Sequence, residues 1–110
     1  MADVKSFFLG ADAHDYIVSH SLPVDEVQRD LIEETRTLGG VAGMQIAPEQ
    51  GAFMTILTRL VGARRAVEVG TFTGYSSLCI ARGLPDDRTA DAARLGAPDV
   101  RGAAMITPAG

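Results

Sequence analysis

An acidic residue and two glycines stand close together near the middle of the chain. Glu68 lies near the end of a short apolar run, and Gly70 and Gly74 follow it. A carboxylate at Glu68 can accept strong, charge-assisted hydrogen bonds from a cationic amino group. Gly70 leaves room for a ligand against the backbone, whereas Gly74 permits unusual dihedral angles and close packing where a helix begins. Ser76 can cap that helix or bond the ligand. The segment therefore predicts a ligand-binding turn.

Three other interpretations compete for the same turn. A dinucleotide-binding fingerprint needs a glycine two residues after Gly70, where Phe72 stands instead. A P-loop needs Gly-Lys-Ser or Gly-Lys-Thr, and neither follows. In the third interpretation the turn is purely structural, and Glu68 is solvated or forms an ion pair with Arg64 or Arg65. The glycines alone do not decide between a binding turn and a structural one.

The turn is expected to connect a buried strand to a helix. Ala66–Val69 is a short, mostly apolar run with β-branched residues, which is typical of a buried parallel strand. Helical spacing of apolar residues resumes over 75–82, and Gly83 and Pro85 end it. The order strand, glycine turn, helix predicts an α/β fold.

Three helices are predicted before this strand, over 12–21, 24–38 and 48–62, with a loop at 41–47. The second is amphipathic and stops at a pair of glycines. The third begins at Pro48, whose missing N–H is not needed in a first turn. The apolar faces expected to be buried are Val24, Val27, Leu31 and Ile32 in the second helix, and Phe53, Ile56, Leu57, Leu60 and Val61 in the third.

Composition fits one small globular domain of 110 residues, with 46% hydrophobic and 22% charged residues. The net charge of −4 and the scattered lysines and arginines give no general attraction to nucleic acid or anionic lipid. No apolar run reaches the roughly 18 residues that span a bilayer, and the patch at 7–9 is too short for a signal peptide. A cytoplasmic protein without nucleic-acid or membrane partners is expected.

Cysteine and histidine offer little chemistry. Cys79 is the single cysteine, so it cannot form an intramolecular disulfide, and we interpret it as a packed helix residue. His14 and His20 are six residues apart and do not share one helical face. Exposed or capping histidines are therefore expected rather than metal ligands.

Two blocks of the sequence resemble the caffeoyl-CoA and catechol-type O-methyltransferase family. Residues 44–51 read Met-Gln-Ile-Ala-Pro-Glu-Gln-Gly, and residues 66–77 read Ala-Val-Glu-Val-Gly-Thr-Phe-Thr-Gly-Tyr-Ser-Ser. The blocks stand at the family's relative spacing, and the resemblance covers roughly residues 12–87. It implies the N-terminal helices and the first strand, turn and helix of a Rossmann-like methyltransferase fold, in truncated form.

The resemblance implies a site for S-adenosylmethionine. In the family, a hydroxyl of a catechol-like small molecule displaces the sulfonium methyl, and a divalent cation such as Mg²⁺ holds that hydroxyl. The residue matching Ile46 would act mainly through its backbone, because its side chain has no polar atom. The cofactor-binding residues expected from the turn and from the resemblance are Ile46, Glu68, Gly70, Thr71, Gly74 and Ser76.

Family character is expected to stop near residue 87. The family's second strand should begin shortly after Pro85 and end at an acidic residue that holds the ribose. Residues 88–95 are expected to lack this strand, and neither Asp91 nor Asp99 fits the acidic position. The sequence also offers no counterparts of the family's metal ligands.

The chain is therefore predicted to comprise an N-terminal part of an O-methyltransferase domain at 1–87 and a divergent tail at 88–110. Disorder is one interpretation of the tail, and 105–107 is a candidate partner for the strand. A shifted reading frame, a natural short form and an inaccurate gene model remain as alternative origins. Two functions follow: an O-methyltransferase of doubtful activity, or a non-catalytic helical fragment that self-associates, as in a homodimer, or binds a full-length relative.

Overall fold

The computed structural model describes residues 8–85 and 90–93. Four helices and a strand lie where the sequence predicts them, within a few residues. The predicted loop at 41–47 is wrong in its first part, because a run of small residues there winds into a 3₁₀-helix. In chain order the elements are α1 (Ala11–His20), α2 (Glu26–Arg36), the 3₁₀-helix (Gly39–Met44), α3 (Pro48–Leu60), β1 (Ala66–Val69), α4 (Tyr75–Gly83) and β2 (Ala90–Ala93).

Helix α2 has the clearest local start and stop signals. The Asp25 carboxylate accepts a hydrogen bond from the Gln28 backbone N–H at 2.8 Å, and the Gln28 side chain accepts one from the Asp25 N–H at 2.9 Å. This reciprocal pair is a capping box. Gly39, with a φ of +70°, follows the end of the helix. The helix therefore begins two residues later than predicted, because Asp25 is its cap.

Helices α3 and α4 pack very closely against each other. A Cβ atom at Gly51 would lie 2.6 Å from the Cys79 sulfur and 2.8 Å from Cε1 of Tyr75. A Cβ atom at Gly83 would lie 2.5 Å from Cβ of Thr58. Distances this short leave no room for a side chain, so glycine at both positions sets how near the two helices come.

The face of α3 that packs on α4 is not the apolar face that the sequence predicts. Its buried members are small, and the Thr55 hydroxyl donates to the Cys79 carbonyl at 2.7 Å. Phe53 is 61% exposed and Leu60 78% exposed. The prediction is wrong because small residues let the backbones approach, whereas larger apolar ones would hold them apart. The buried residues of α3 are Gly51, Ala52, Thr55 and Thr58.

The strand β1 pairs in parallel with β2, with Ala66 opposite Ala90 and Val69 opposite Ala93. The prediction that 88–95 lacks a strand is therefore wrong. Alanine and aspartate have low strand propensity, so the sequence Ala-Asp-Ala-Ala at 90–93 gives no local indication of a strand. The backbone groups of β1 nevertheless need partners, and β2 supplies them.

Several of the predictions made from the sequence concern residues that the structure does not describe. The candidate partner segment 105–107 and Asp99 lie outside the described residues, and so does most of the stretch assigned to the divergent tail. The domain division at residue 87 stays a prediction. Among the described residues, no helix is long and apolar enough to cross a membrane.

The strand β1 is parallel, as predicted, but it is not buried on both faces. Val67 is 75% exposed and Val69 is 65% exposed. Similarly, Val27 on the apolar face of α2 is 56% exposed. The described core therefore sits between α3 and α4 rather than around the sheet.

Candidate functional site

The turn between β1 and α4 has an unusual backbone. Gly70 and Gly74 have φ values of +92° and +94°, and Phe72 between them has a φ of +49°. The Gly74 N–H donates to the Thr71 carbonyl at 2.9 Å, which closes the turn. A left-handed conformation at a residue other than glycine costs about 1 kcal/mol or more and is concentrated at functional sites. The strain at Phe72 marks this turn as a candidate site.

The two glycines have different roles in the turn. A Cβ atom at Gly70 would have no neighbour within 4 Å, so the space beside it is open to a ligand. At Gly74 the nearest atom would be Cγ2 of Thr71 at 4.0 Å, so the predicted close packing is wrong and the dihedral angle is what requires glycine. Gly74 is also the N-cap of α4, without a side-chain cap, and the predicted capping by Ser76 is not observed.

The carboxylate of Glu68 is held from behind the turn. Its two oxygens accept hydrogen bonds from the hydroxyl groups of Ser76 and Ser77 in the first turn of α4. Among the described residues, no ion pair joins it to Arg64 or Arg65, so the structural alternative in that form is wrong. Each carboxylate oxygen can accept a further hydrogen bond. Glu68 is therefore fixed in place and still able to receive a donor.

A cleft of about 70 Å³ lies between the turn and the segment that precedes α3. Sites for whole small molecules occupy about 300–1,000 Å³, so this cleft suits one end of a ligand. Four of the six predicted cofactor residues line it, and Glu68 and Gly74 lie outside its walls. Those four are Ile46, Gly70, Thr71 and Ser76. As ligand contacts, all six stay predictions.

Three polar side chains at or near this cleft form a hydrogen-bonded group that the sequence analysis did not predict. The side-chain amide of Gln45 donates to the Thr35 hydroxyl at 3.0 Å and to the Thr73 hydroxyl at 3.4 Å. The Thr35 hydroxyl donates to Thr73 at 3.0 Å. Gln45 precedes Ile46 in a block that resembles the family, which was the available signal. Thr35 lies on α2, 38 residues from Thr73, and nothing local reveals it.

The two histidines differ from each other. His14 is 1% exposed, and its Nε2 lies 3.1 Å from Oε1 of Glu49, which links α1 to α3. The prediction of an exposed or capping histidine is therefore wrong at His14, whose burial depends on a partner 35 residues away. His20 is exposed and stacks on Tyr16 with ring centroids 3.9 Å apart.

The metal expected from the resemblance has no fitting site in the part of the chain that the structure describes. No three side chains of His, Cys, Asp or Glu come together there in a way that could hold an ion. The two oxygens of Glu68 already face serine hydroxyls rather than other acidic groups. No step of the chemistry is therefore assigned to a metal.

Cys79 is confirmed as a packed helix residue. It is fully buried, and the Gln28 side chain donates to its sulfur at 3.4 Å. Burial raises the pKa of the Cys79 thiol, and burial also raises the pKa of the neighbouring Tyr75 hydroxyl well above its usual range. Both groups stay protonated at neutral pH, so neither is a nucleophile.

The comparison with known families decides what this strand, turn and helix belong to. A family model described as O-methyltransferase matches residues 10–98. The chain belongs to the O-methyltransferase family. The match extends past residue 87 and includes β2.

Individual members of the family show the same likeness. Caffeoyl-CoA O-methyltransferase of Populus kitakamiensis is 43% identical over 53 residues, which is 48% of this chain and 23% of that protein. The O-methyltransferase from Bacillus cereus in complex with SAH gives a TM-score of 0.63 at 27% identity, over 71% of this chain and 35% of that one. TomG from Streptomyces achromogenes is an O-methyltransferase involved in tomaymycin synthesis whose structure was solved in complex with SAM. It gives a TM-score of 0.63 at 33% sequence identity, over 71% of this chain and 34% of that chain.

These likenesses confirm the predicted fold class, which is the N-terminal part of a Rossmann-like methyltransferase fold. The chain spans about a third or less of the length of the relatives and structures that it matches. Membership of the family therefore does not by itself establish the activity or the substrates of a whole methyltransferase for this chain.

Proposed function

We propose that the turn at 70–74 binds the methionine end of S-adenosylmethionine, as part of an O-methyltransferase that acts on a hydroxyl of a catechol-like small molecule. The observation that carries the proposal is the arrangement around the cleft. Gly70, with open space beside it, and Ile46 line one cleft at the start of α4, and two serine hydroxyls of that helix hold the Glu68 carboxylate. The bound SAH and SAM of the two similar structures support the choice of ligand.

The two charges of an amino acid match two features of this site. An ammonium group can donate charge-assisted hydrogen bonds to the Glu68 carboxylate, which is half-buried and therefore partly shielded from water. A carboxylate is stabilised by the free backbone N–H groups at the N-terminus of α4, which begins at Tyr75. The cleft, together with the Glu68 carboxylate that accepts from the cleft-lining Ser76, is therefore better suited to a zwitterionic end of a ligand than to a phosphate or an apolar group.

Methyl transfer makes only modest chemical demands on the described residues. The acceptor oxygen forms a bond to the methyl carbon, the bond between carbon and sulfur breaks, and the electron pair stays on sulfur as a neutral thioether. The acceptor must also lose its hydroxyl proton to a base. The chain's own part is to hold the cofactor so that its methyl group points towards an acceptor, because orientation supplies much of the rate.

Binding of SAH to purified chain by calorimetry tests the proposal. Glu68→Gln removes the charge but keeps the shape, and Glu26→Gln, an exposed residue in the first turn of α2, is the matched control. A hydrogen bond to a charged group contributes about 1.5–3 kcal/mol, so Glu68→Gln is expected to weaken binding by roughly ten-fold or more. Equal affinities in the parent, Glu68→Gln and Glu26→Gln would contradict the proposed role of Glu68.

A second candidate function is supported by the exposed apolar faces. Leu60 on α3 and Val67 on β1 are 78% and 75% exposed, as described above. Burial of such surface contributes about 25 cal/mol per Å², so a non-catalytic fragment can associate with itself or with a full-length relative through these faces.

Sedimentation velocity separates the two functions. Association through the apolar faces is expected to weaken in Leu60→Ser and to ignore both SAH and Glu68→Gln. A chain that stays monomeric at high micromolar concentration would rule out self-association as the function.

A further inference from the structure

Thr73 lines the cleft beside the glycine turn, and its hydroxyl accepts two hydrogen bonds. The Thr35 hydroxyl and the Gln45 amide donate to it at 3.0 Å and 3.4 Å. A hydroxyl has two acceptor lone pairs and one proton. Both lone pairs of Thr73 are therefore occupied, and its proton is the remaining hydrogen-bonding capacity.

The direction of the bond between the two threonines follows from their burial. Thr35 is 1% exposed, so its proton needs a partner inside the protein, and it donates to the Thr73 hydroxyl at 3.0 Å. Thr73 is half-buried and lines the cleft together with Gln45. Its proton is consequently the one that can face a ligand.

The three residues come from three separate parts of the chain. Thr35 lies in the last turn of α2, Gln45 follows the 3₁₀-helix, and Thr73 belongs to the glycine turn. Thr35 takes part in two of the three hydrogen bonds, as donor to Thr73 and as acceptor from Gln45, and it does not line the cleft. Thr35 therefore acts on the cleft only through Thr73 and Gln45.

We propose that Thr35 and Gln45 are positioning residues that turn the Thr73 hydroxyl into a hydrogen-bond donor towards the carboxylate of bound S-adenosylmethionine. The inference rests on the proposed function and adds to it a hydrogen-bond donor whose orientation is set by two residues outside the glycine turn. It also gives α2 a role in cofactor binding, because the donor that orients Thr73 lies on that helix.

Calorimetry with SAH on four single variants of the full chain, and on the double variant that combines Thr35→Val with Thr73→Val, tests this role. Thr35→Val and Thr73→Val remove one hydroxyl each at nearly constant volume, and Thr35→Ser keeps it. Thr58→Val is the matched control, because its buried hydroxyl donates to the Met54 carbonyl within α3 and is remote from the cleft. Thermal unfolding of each variant measures the cost to stability separately from affinity.

The expected result is a roughly five-fold loss of affinity in Thr35→Val and in Thr73→Val, with parent affinity in Thr35→Ser and Thr58→Val. The double variant is expected to lose no more than Thr73→Val alone, because Thr35 acts through Thr73. Thr73 is half-buried, so its variant stays folded even if Thr35→Val does not.

Two negative results are distinguishable. Unchanged affinity in Thr73→Val, in a chain whose parent binds SAH, overturns this inference and leaves the proposed function intact. A folded parent that does not bind SAH overturns both.

Discussion

The two sides of α3 show opposite relations between hydropathy and burial. The side that faces α4 carries glycine, alanine and threonine and is buried, whereas the side with Phe53 and Leu60 is exposed. The close contact of the buried side with α4 requires glycine at Gly51 of α3 and at Gly83 of α4, because a Cβ atom at either position would overlap its neighbours. Hydropathy therefore indicates which surface gains from burial, but side-chain size decides which helices approach each other here.

The largest effect is expected from adding one carbon atom at the contact between α3 and α4. In Gly83→Ala the new Cβ atom would lie 2.5 Å from Cβ of Thr58 and 2.6 Å from the Thr55 carbonyl oxygen, and the carbonyl cannot move aside cheaply. Overpacking costs about 3 kcal/mol, and the higher helix propensity of alanine returns about 1 kcal/mol. Urea denaturation is expected to show a net loss of about 2 kcal/mol in the free energy of unfolding.

The control for this variant is Gly40→Ala. A Cβ atom at Gly40 would have no neighbour within 4 Å, and the backbone there is not left-handed. The substitution is expected to be neutral or to stabilise the chain by up to about 1 kcal/mol. Equal effects of Gly83→Ala and Gly40→Ala would mean that the close contact of α3 and α4 does not exist in solution.

The packed side of α3 contacts Tyr75 and Cys79 of α4, and these two buried groups make the stability of this side depend on pH. Burial raises the pKa of both groups in the folded chain, so the unfolded chain releases their protons first as the pH rises. Stability is therefore complete below the ordinary cysteine pKa of about 8.5 and falls above it, with tyrosine adding to the fall above about 10. Each released proton contributes up to about 1.4 kcal/mol per pH unit.

Tyr75→Phe isolates the tyrosine contribution. The Tyr75 hydroxyl is buried and, among the described residues, has no polar neighbour better placed than the weakly hydrogen-bonding Cys79 thiol, so its removal is expected to change stability little at pH 7. At pH 10.5 the variant is expected to exceed the parent in stability by about 0.5–1 kcal/mol. Tyr16→Phe, at an exposed tyrosine of α1, serves as control and is expected to follow the parent profile in thermal unfolding between pH 7 and 10.5.

The smallest effect is expected on the exposed side of the molecule. Threonine in place of Val67, which is 75% exposed, keeps β-branching and removes apolar surface. The free energy of unfolding of Val67→Thr is expected to stay within about 0.5 kcal/mol of the parent, as measured by urea denaturation. A loss above about 2 kcal/mol would show that this face is buried in solution, most simply by a second copy of the chain.

Local signals account for what the sequence predicts well. Pro48 begins α3, Gly39 follows the end of α2, and Gly74 supplies the left-handed residue before α4. The turn, the strand β1 and the helix after it could be placed because each is specified by neighbouring residues. The family resemblance, carried by residues 44–51 and 66–77, is confirmed by the family match over residues 10–98.

Contacts between distant parts of the chain account for what was missed. Burial of His14 depends on Glu49, and the role of Thr35 depends on Thr73, at separations of 35 and 38 residues. The strand Ala90–Ala93 is specified by the backbone of β1 rather than by its own side chains. Periodicity and motif spacing report one element at a time, so they do not contain this information.

The most direct test of the central claim is a titration of ¹⁵N-labelled chain with SAH, followed by backbone amide chemical shifts. The account predicts that the largest shifts fall on Ile46 and on residues 70–76, with Glu68→Gln reducing them. It also predicts that the exposed side of α3, around Phe53 and Leu60, stays unchanged. Shifts centred on that exposed side, or none in a folded chain, would contradict cofactor binding at the turn.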